Sequence, residues 1–204
     1  MKRYDQYCPI AHALGVVGER WTLLVVRELA HGPLRYTDLA DRLPGIGTNI
    51  LADRLKELES AAVVEKRKLP PPAASTVYEL TPHGQGLRPV LHELARWGAR
   101  SLGPPPPAAL EPGWLVHAID LALSPLCRGN TIAFRVGDEE ASLVDCRAVE
   151  GIAADYETLV ETDPTGLYEL VVNHKLDGVR IEGDPVPLER LVENFSPTPA
   201  PLPA

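Results

Sequence analysis

No stretch of this 204-residue chain approaches the roughly 18 to 20 consecutive apolar residues of a membrane-spanning helix. The N-terminal run "MKRYDQYCPIAHALGVVGERW" starts basic and has a short apolar segment. Glu19 and Arg20 then follow with no separate cleavage region, which argues against a secretory signal. Cysteine is scarce. Cys8, Cys127 and Cys146 are odd in number and widely spaced, matching neither a disulfide framework nor a CxxC metal motif. Together these absences predict a cytoplasmic protein. The short motifs of common enzyme classes are also missing: GxSxG, GxGxxG, the phosphate-binding loop and HExxH. The six histidines are scattered, with His31 at a helix end, His83 in a turn, and His117 and His174 far along the chain. No His/Cys/carboxylate group has metal-ligand spacing. No catalytic residue, metal site or cofactor is therefore expected.

What the chain does have is a division of charge. Through Gly103 there are 14 Lys/Arg against 11 Asp/Glu, and from Pro104 onward 6 against 17. A first part of net +3 and a second of net −11 point to two modules with different partners. The break coincides with "GPPPPAALEP", Gly103 to Pro112, a stiff polyproline-type spacer. The expected organisation is a first domain over 1–102, a Pro-rich linker over 103–112, a second domain over 113–195, and a disordered Pro-rich tail over 196–204. Either domain is large enough to bury a small core.

In the first domain, "CPIAHALGVVG" carries Ile10, Leu14 and Val17 at helical spacing and stops at Gly18. "RWTLLVVRELA" repeats the period with Trp21, Leu24, Val25 and Leu29, and His31 to Pro33 ends it. "RYTDLADRLPG" predicts a short third helix with Tyr36, Leu39 and Leu43 on one side, closed by Pro44-Gly45. A further helix over Thr48 to Glu59 precedes two β-prone runs, "AVVEKRKL" and "STVYELT", which read as a hairpin. "TPHGQGLRPVLHELARWGARSL" then reads as one long helix bearing Leu87, Val90, Leu91, Leu94 and Trp97. That is more apolar surface than so small a domain needs, and it predicts an interface.

The helix beginning at Thr48 carries the chemistry. At about 100° per residue, Leu51, Leu55 and Leu58 share one arc and must face the core. Thr48, Asn49, Ala52, Asp53 and Lys56 fall on the opposite arc, which is small and rich in hydrogen-bonding groups. A helix entering a DNA major groove needs that composition, because it must approach base edges closely. With a short helix and a Gly-containing turn before it, the layout is a helix-turn-helix. The hairpin is then a wing whose Lys66, Arg67 and Lys68 contact phosphate. Arg35 and Arg54 are second-rank phosphate candidates, and Arg54, at the edge of the buried arc, has bracing of the fold as its other reading.

At these residues the sequence resembles the HxlR-type winged helix-turn-helix regulators, relatives of the MarR group. The resemblance is carried by "CPIAHALGVVGERWTLLVVRELAHGPLRYTDLADRLPGIGTNILADRLKELESAAVV" and "YELTPHGQGLRPVL". It implies a homodimer in which the first and last helices pair, with recognition helices in successive major grooves of near-palindromic double-stranded DNA, and no enzymatic activity. The expected function is thus a sequence-specific DNA-binding transcriptional regulator, read as a repressor. The alternative is a lipid-binding or interaction module that uses the winged helix only to dimerise. Some members of the family sense electrophiles or oxidants through a cysteine placed like Cys8, where a helix N-terminus can lower a thiol pKa. The competing reading, preferred here, is that Cys8 packs at the dimer contact.

The second domain resembles the sterol-carrier-protein-like fold. "GWLVHAIDLAL" reads as a helix opening at Trp114, and "TIAFRVGDEEASLVDCRAVEGIAADYETLVETD" alternates apolar and polar residues over several strands, with a turn at Gly137 to Glu139. "VETDPTGLYELV" and "GVRIEGDPVPLERLVENF" carry the resemblance, with a short helix capped by Asp163, a strand and a closing amphipathic helix. It implies an open sheet covered by helices around an apolar cavity. A small apolar or lipid-like effector is expected between the sheet and the helices around Trp114 and Leu188 to Phe195. The plainer reading is a core and nothing more, since alternating Ile, Val and Leu build any half-buried sheet. The fold class expected is α+β: an N-terminal winged helix-turn-helix with a long dimerisation helix, plus a C-terminal α+β sterol-carrier-like domain.

Overall fold

The computed structural model describes residues 4–106, 110 and 112–194, so the expected tail over 196–204 lies outside the described residues. The chain folds into two compact units, Met1–Leu91 and His92–Ala204. Among the described residues no helix is long and apolar enough to cross a membrane.

The first unit opens with α1 (Pro9–Val17), started by a proline at its first position and ended at Gly18. Helix α2 (Thr22–Ala30) buries Val25, Val26 and Leu29, and α3 (Tyr36–Arg42) buries Leu39. The turn after α3 depends on Gly45, whose φ of 89° lies in the left-handed region that side chains resist. Helix α4 (Thr48–Ser60) buries Leu51, Leu55 and Leu58, each at most 1% exposed. Burying a leucine is worth about 1.5 to 3 kcal/mol, so this stripe fixes the rotation of α4.

Strands β1 (Val64–Lys68) and β2 (Thr76–Leu80) pair antiparallel from Val64↔Leu80 to Lys68↔Thr76. A third piece joins them that the sequence did not announce. Leu34 exchanges two backbone hydrogen bonds with Tyr78, of 3.0 and 2.8 Å, and ties the segment before α3 to the wing.

The long last helix expected from Thr81 onward is two helices. A four-residue turn, α5 (Pro82–Gln85), is capped by the Thr81 hydroxyl, and α6 runs from Arg88 to Leu102. One reason is tertiary and one is local. Gly84 packs so tightly on the backbone that a Cβ there would sit 2.1 Å from the Val63 carbonyl oxygen, and Pro89 starts a new helix more readily than it continues an old one. The division between the two units falls inside α6, whose later residues pack within the second.

That second unit contains α7 (Trp114–Ala122), a 3-10 turn at Ser124–Leu126, and strands β3 (Ile132–Val136), β4 (Glu139–Val144), β5 (Arg147–Glu150) and β6 (Thr158–Thr162). Helix α8 (Pro164–Asn173), strand β7 (Arg180–Gly183) and helix α9 (Val186–Glu193) complete it. The sheet order is β5-β4-β3-β6-β7, with β3 and β6 parallel and the other pairs antiparallel. The expected alternation is lost in the middle of the sheet, because Ala133, Ser142 and Leu159 are buried as well as their inward-facing neighbours. Two carboxylates start helices here. Asp163 accepts from the Gly166 amide at 2.7 Å, and Glu139, distant in sequence, accepts from the Gly113 and Leu115 amides at 2.6 and 3.0 Å.

Two sequence expectations are corrected in this unit. Cys127 and Cys146 form a disulfide with a Cα–Cα distance of 5.2 Å. Their wide spacing is irrelevant once the β3–β4 hairpin carries the chain back, so the inference of no disulfide framework fails. Between the sheet and its helices, where an effector was expected, the buried side chains form one apolar cluster. Leu115 and Ile119 of α7, with Leu123 just after it, meet Phe134 and Leu143, and Leu188 and Leu191 of α9 close the same core. Phe195, named with that expected cavity, lies outside the described residues.

Candidate nucleic-acid interface

Opposite the buried leucines of α4, all five residues of the predicted outer arc are exposed: Thr48, Asn49, Ala52, Asp53 and Lys56. Among the described residues, the side chains of Thr48, Asn49, Asp53 and Lys56 make no hydrogen bond or ion pair within the protein. Their donors and acceptors are therefore open to an external partner. Gly47 at the N-cap supplies no side-chain oxygen, and the first turn of α4 has no acidic residue, so nothing competes with an approaching anion at this helix start. The position of that start is set by α3. The Tyr36 hydroxyl donates to the Thr48 carbonyl at 2.7 Å, bracing the two helices of the motif against each other. Sequence periodicity placed Tyr36 only among core residues and missed this bond.

The flanking cations are less uniform than the sequence implies. Lys66 donates to Glu59 at 3.0 Å and lies 5.2 Å from the centre of the Tyr78 ring. The Glu59 hydrogen bond holds the Lys66 ammonium above its ordinary pKa. Arg67 makes a two-pronged pair with Glu79, at 2.6 and 2.9 Å, which holds the Glu79 carboxyl below the usual carboxylate range. Lys68 is exposed and makes no ion pair among the described residues. All three ammonium and guanidinium groups stay at least partly in solvent, but only Lys68 carries a charge with no internal counterion.

Arg35 is exposed at the N-cap of α3, where the helix dipole disfavours a cation and an anion would relieve it. Arg54 differs. Its side chain is 13% exposed and pairs with Glu57 at 2.7 Å and Glu19 at 3.9 Å. Of the two roles open to Arg54, this packing favours the brace.

Apolar exposure concentrates elsewhere. Ile10 and Leu14 of α1 are exposed, as are Val90, Leu94 and Trp97 of α6, with Trp97 at 66%. Each set falls on one side of its helix. Cys8, a free and half-buried thiol, occupies the N-cap of α1.

The profile of the HxlR-like helix-turn-helix family matches residues 16–105. The HTH-type transcriptional regulator YodB of Bacillus subtilis is 36% identical over 91 residues, which are 44% of this chain and 81% of that protein. The uncharacterized HTH-type transcriptional regulator YvaP of the same organism is 32% identical over 101 residues, 49% of this chain and 94% of that protein. The solved structure of the reduced form of YodB is similar at 33% identity with a TM-score of 0.43, covering 50% of this chain and all of that one. These relatives are transcriptional regulators, not enzymes.

Proposed function

Because the chain belongs to the HxlR-like helix-turn-helix family and is a DNA-binding transcriptional regulator, we propose that it acts as a homodimeric repressor on a near-palindromic operator. The observation that carries the reading is the outer arc of α4: exposed, hydrogen-bonding and unpaired, on a helix locked by the leucines behind it. Asn49 is suited to a bidentate contact with adenine, and Thr48 to a thymine methyl or a phosphate. Asp53 accepts from cytosine, Lys56 reaches toward the backbone, and Ala52 allows close approach. Lys68 supplies a phosphate contact from the wing, with Lys66, Arg67 and Arg35 around it and Arg54 steadying α4 from behind.

Dimerisation follows from the apolar faces of α1 and α6, which a monomer leaves in water. A two-fold dimer demands half-sites about one helical turn of DNA apart, ~10 bp or a multiple. Cys8, at the start of the helix that carries the exposed Ile10 and Leu14, is read first as packing in the dimer contact and second as a redox sensor. The second unit is read as a sterol-carrier-like domain that senses a small apolar effector. The test is binding of the purified full chain to its own upstream DNA across a salt titration. Salt-sensitive binding with a strong preference for one near-palindromic site supports the reading. Equal affinity for that site and scrambled DNA refutes it.

A further inference from the structure

The second unit holds a cavity of about 480 Å³, bounded by α6, α7 and α8. That volume falls in the range of small-molecule sites. The space exists because alanines stand where larger side chains would fill it: Ala95 and Ala99 on α6, Ala118 and Ala122 on α7. Trp114, Leu121, Leu167 and Val171 complete apolar walls. No strand residue lines it, so this is a different place from the sheet–helix interior.

Its charged groups run against the character of the unit. From His92 onward the chain has 18 acidic residues against 8 basic ones, yet among the described residues Glu93 is the only carboxylate lining the cavity, beside Arg96, Arg100, His92 and His174. Glu93 is already taken by the Arg96 guanidinium one turn on. Arg100 is half-buried and makes no ion pair among the described residues. Burial, and after it the Arg100 charge, hold the His174 imidazole below its ordinary range. A half-buried guanidinium without a carboxylate, next to an imidazole that resists a second positive charge, is a place where an anion is stabilised. The rest of the lining requires that anion to have an apolar body.

We propose that this cavity is an effector site for a small organic monocarboxylate, its carboxylate held by Arg100 beside His174 and its apolar body lying among the alanines of α6 and α7. This rests on the reading of the second unit as a sensor and names the ligand class and the place. The position on α6 gives the site its consequence. His92, Ala95, Arg96 and Ala99 face the cavity, while Val90, Leu94 and Trp97 lie on the far side of the same helix at 100° per residue. A ligand on one side of α6 thus bears on the helix whose other side is the proposed dimer face.

The test uses the full chain and three probes that share one apolar body: decanoate, decanol and decylammonium. Binding is followed by calorimetry. Decanoate is expected to bind about tenfold or more tightly than decanol, the scale of a charge-assisted hydrogen bond, with decylammonium weakest. Arg100→Gln should remove the preference for decanoate and leave decanol binding as it was, and Arg100→Lys should restore most of it. Ala118→Phe should abolish binding of all three. Equal affinity for decanoate and decanol, or a preference that survives Arg100→Gln, overturns the assignment, as does failure of every probe to bind. Operator affinity measured with the same samples separates the two readings. If decanoate binds through Arg100 but leaves operator affinity unchanged, the site stands and the sensor role falls.

Discussion

The wing gives the sharpest test of how charge is used on this surface, because its three consecutive cations differ in what already holds them. Each phosphate contact to B-DNA adds roughly −0.9 to the slope of log affinity against log salt. Between 50 and 200 mM salt, a fourfold change, one such contact is worth about 3.5-fold in affinity. Lys68 has no internal counterion among the described residues, so Lys68→Ala should reduce the slope by about that full amount on any DNA sequence. Arg67 and Lys66 enter with Glu79 and Glu59 beside them, pairs that are neutral overall. To contact phosphate each must first leave that carboxylate, a weak and solvent-screened partner at such exposure. Arg67→Ala should therefore change the slope less than Lys68→Ala does, and Glu79→Gln, which releases the guanidinium, should steepen it toward one further contact. Fluorescence anisotropy on a labelled operator duplex and a scrambled duplex, at five salt concentrations, reads all three. An unchanged slope in Lys68→Ala would place the wing away from DNA. A Glu79→Gln slope no steeper than wild type would show that the Arg67 pair does not hold back a contact.

Other outcomes follow from the same geometry. Asn49→Ala should cost roughly 1 to 3 kcal/mol on the operator and little on scrambled DNA, and an equal loss on both would remove Asn49 from base readout. Replacing Leu94 and Trp97 together by alanine should shift sedimentation toward monomer at micromolar concentration, with the far-UV spectrum retained; a wild-type protein already monomeric there refutes the dimer. Cys127→Ser opens a loop spanning 19 positions, and a cross-link of that length is worth about 3 kcal/mol. Denaturant unfolding should show that loss in the second unit, and an unchanged midpoint would mean the bond adds nothing to its stability.

What could be read from the sequence was what repeats along one element. Leu51, Leu55 and Leu58 return at helical spacing, so the buried arc of α4 and the exposed arc opposite were both legible. The hairpin was legible because β-prone runs flank a proline cluster, and the helix cap at Asp163 because a capping residue precedes a periodic run. What failed to show depends on residues meeting across the fold. Gly84 is needed in the short turn before α6 because the Val63 backbone lies against it. Leu34 becomes a strand partner only when Tyr78 is beside it, and the Glu59 and Glu79 carboxylates capture wing cations across turns and strands. The cysteines meet because a hairpin returns the chain to its start. The cavity was expected under the sheet, where alternating residues imply a covered face. It opened instead among three helices, where alanines of α6 and α7 leave room, a pattern that reads in sequence as good helix formers and nothing else.

The placement of that cavity constrains how sensing can work. A ligand alters operator affinity only by binding one arrangement of the protein better than another, and a tenfold effect needs about 1.4 kcal/mol of such preference. A charge-assisted hydrogen bond supplies about 1.5 to 3 kcal/mol, so a carboxylate on Arg100 has enough to give, provided the contact forms in one arrangement and not in the other. Helix α6 is where the difference must arise, because it is continuous from Arg88 to Leu102 and carries cavity residues on one side and Val90, Leu94 and Trp97 on the other. A close-packed helix cannot yield locally, so drawing Arg100 onto a bound carboxylate translates or rotates the whole rod. If the dimer forms through the far side, that motion changes the spacing of the two α4 helices, and a rigid operator registers the change. An effector that merely filled the alanine space without engaging Arg100 would bind both arrangements alike and leave the operator affinity where it was.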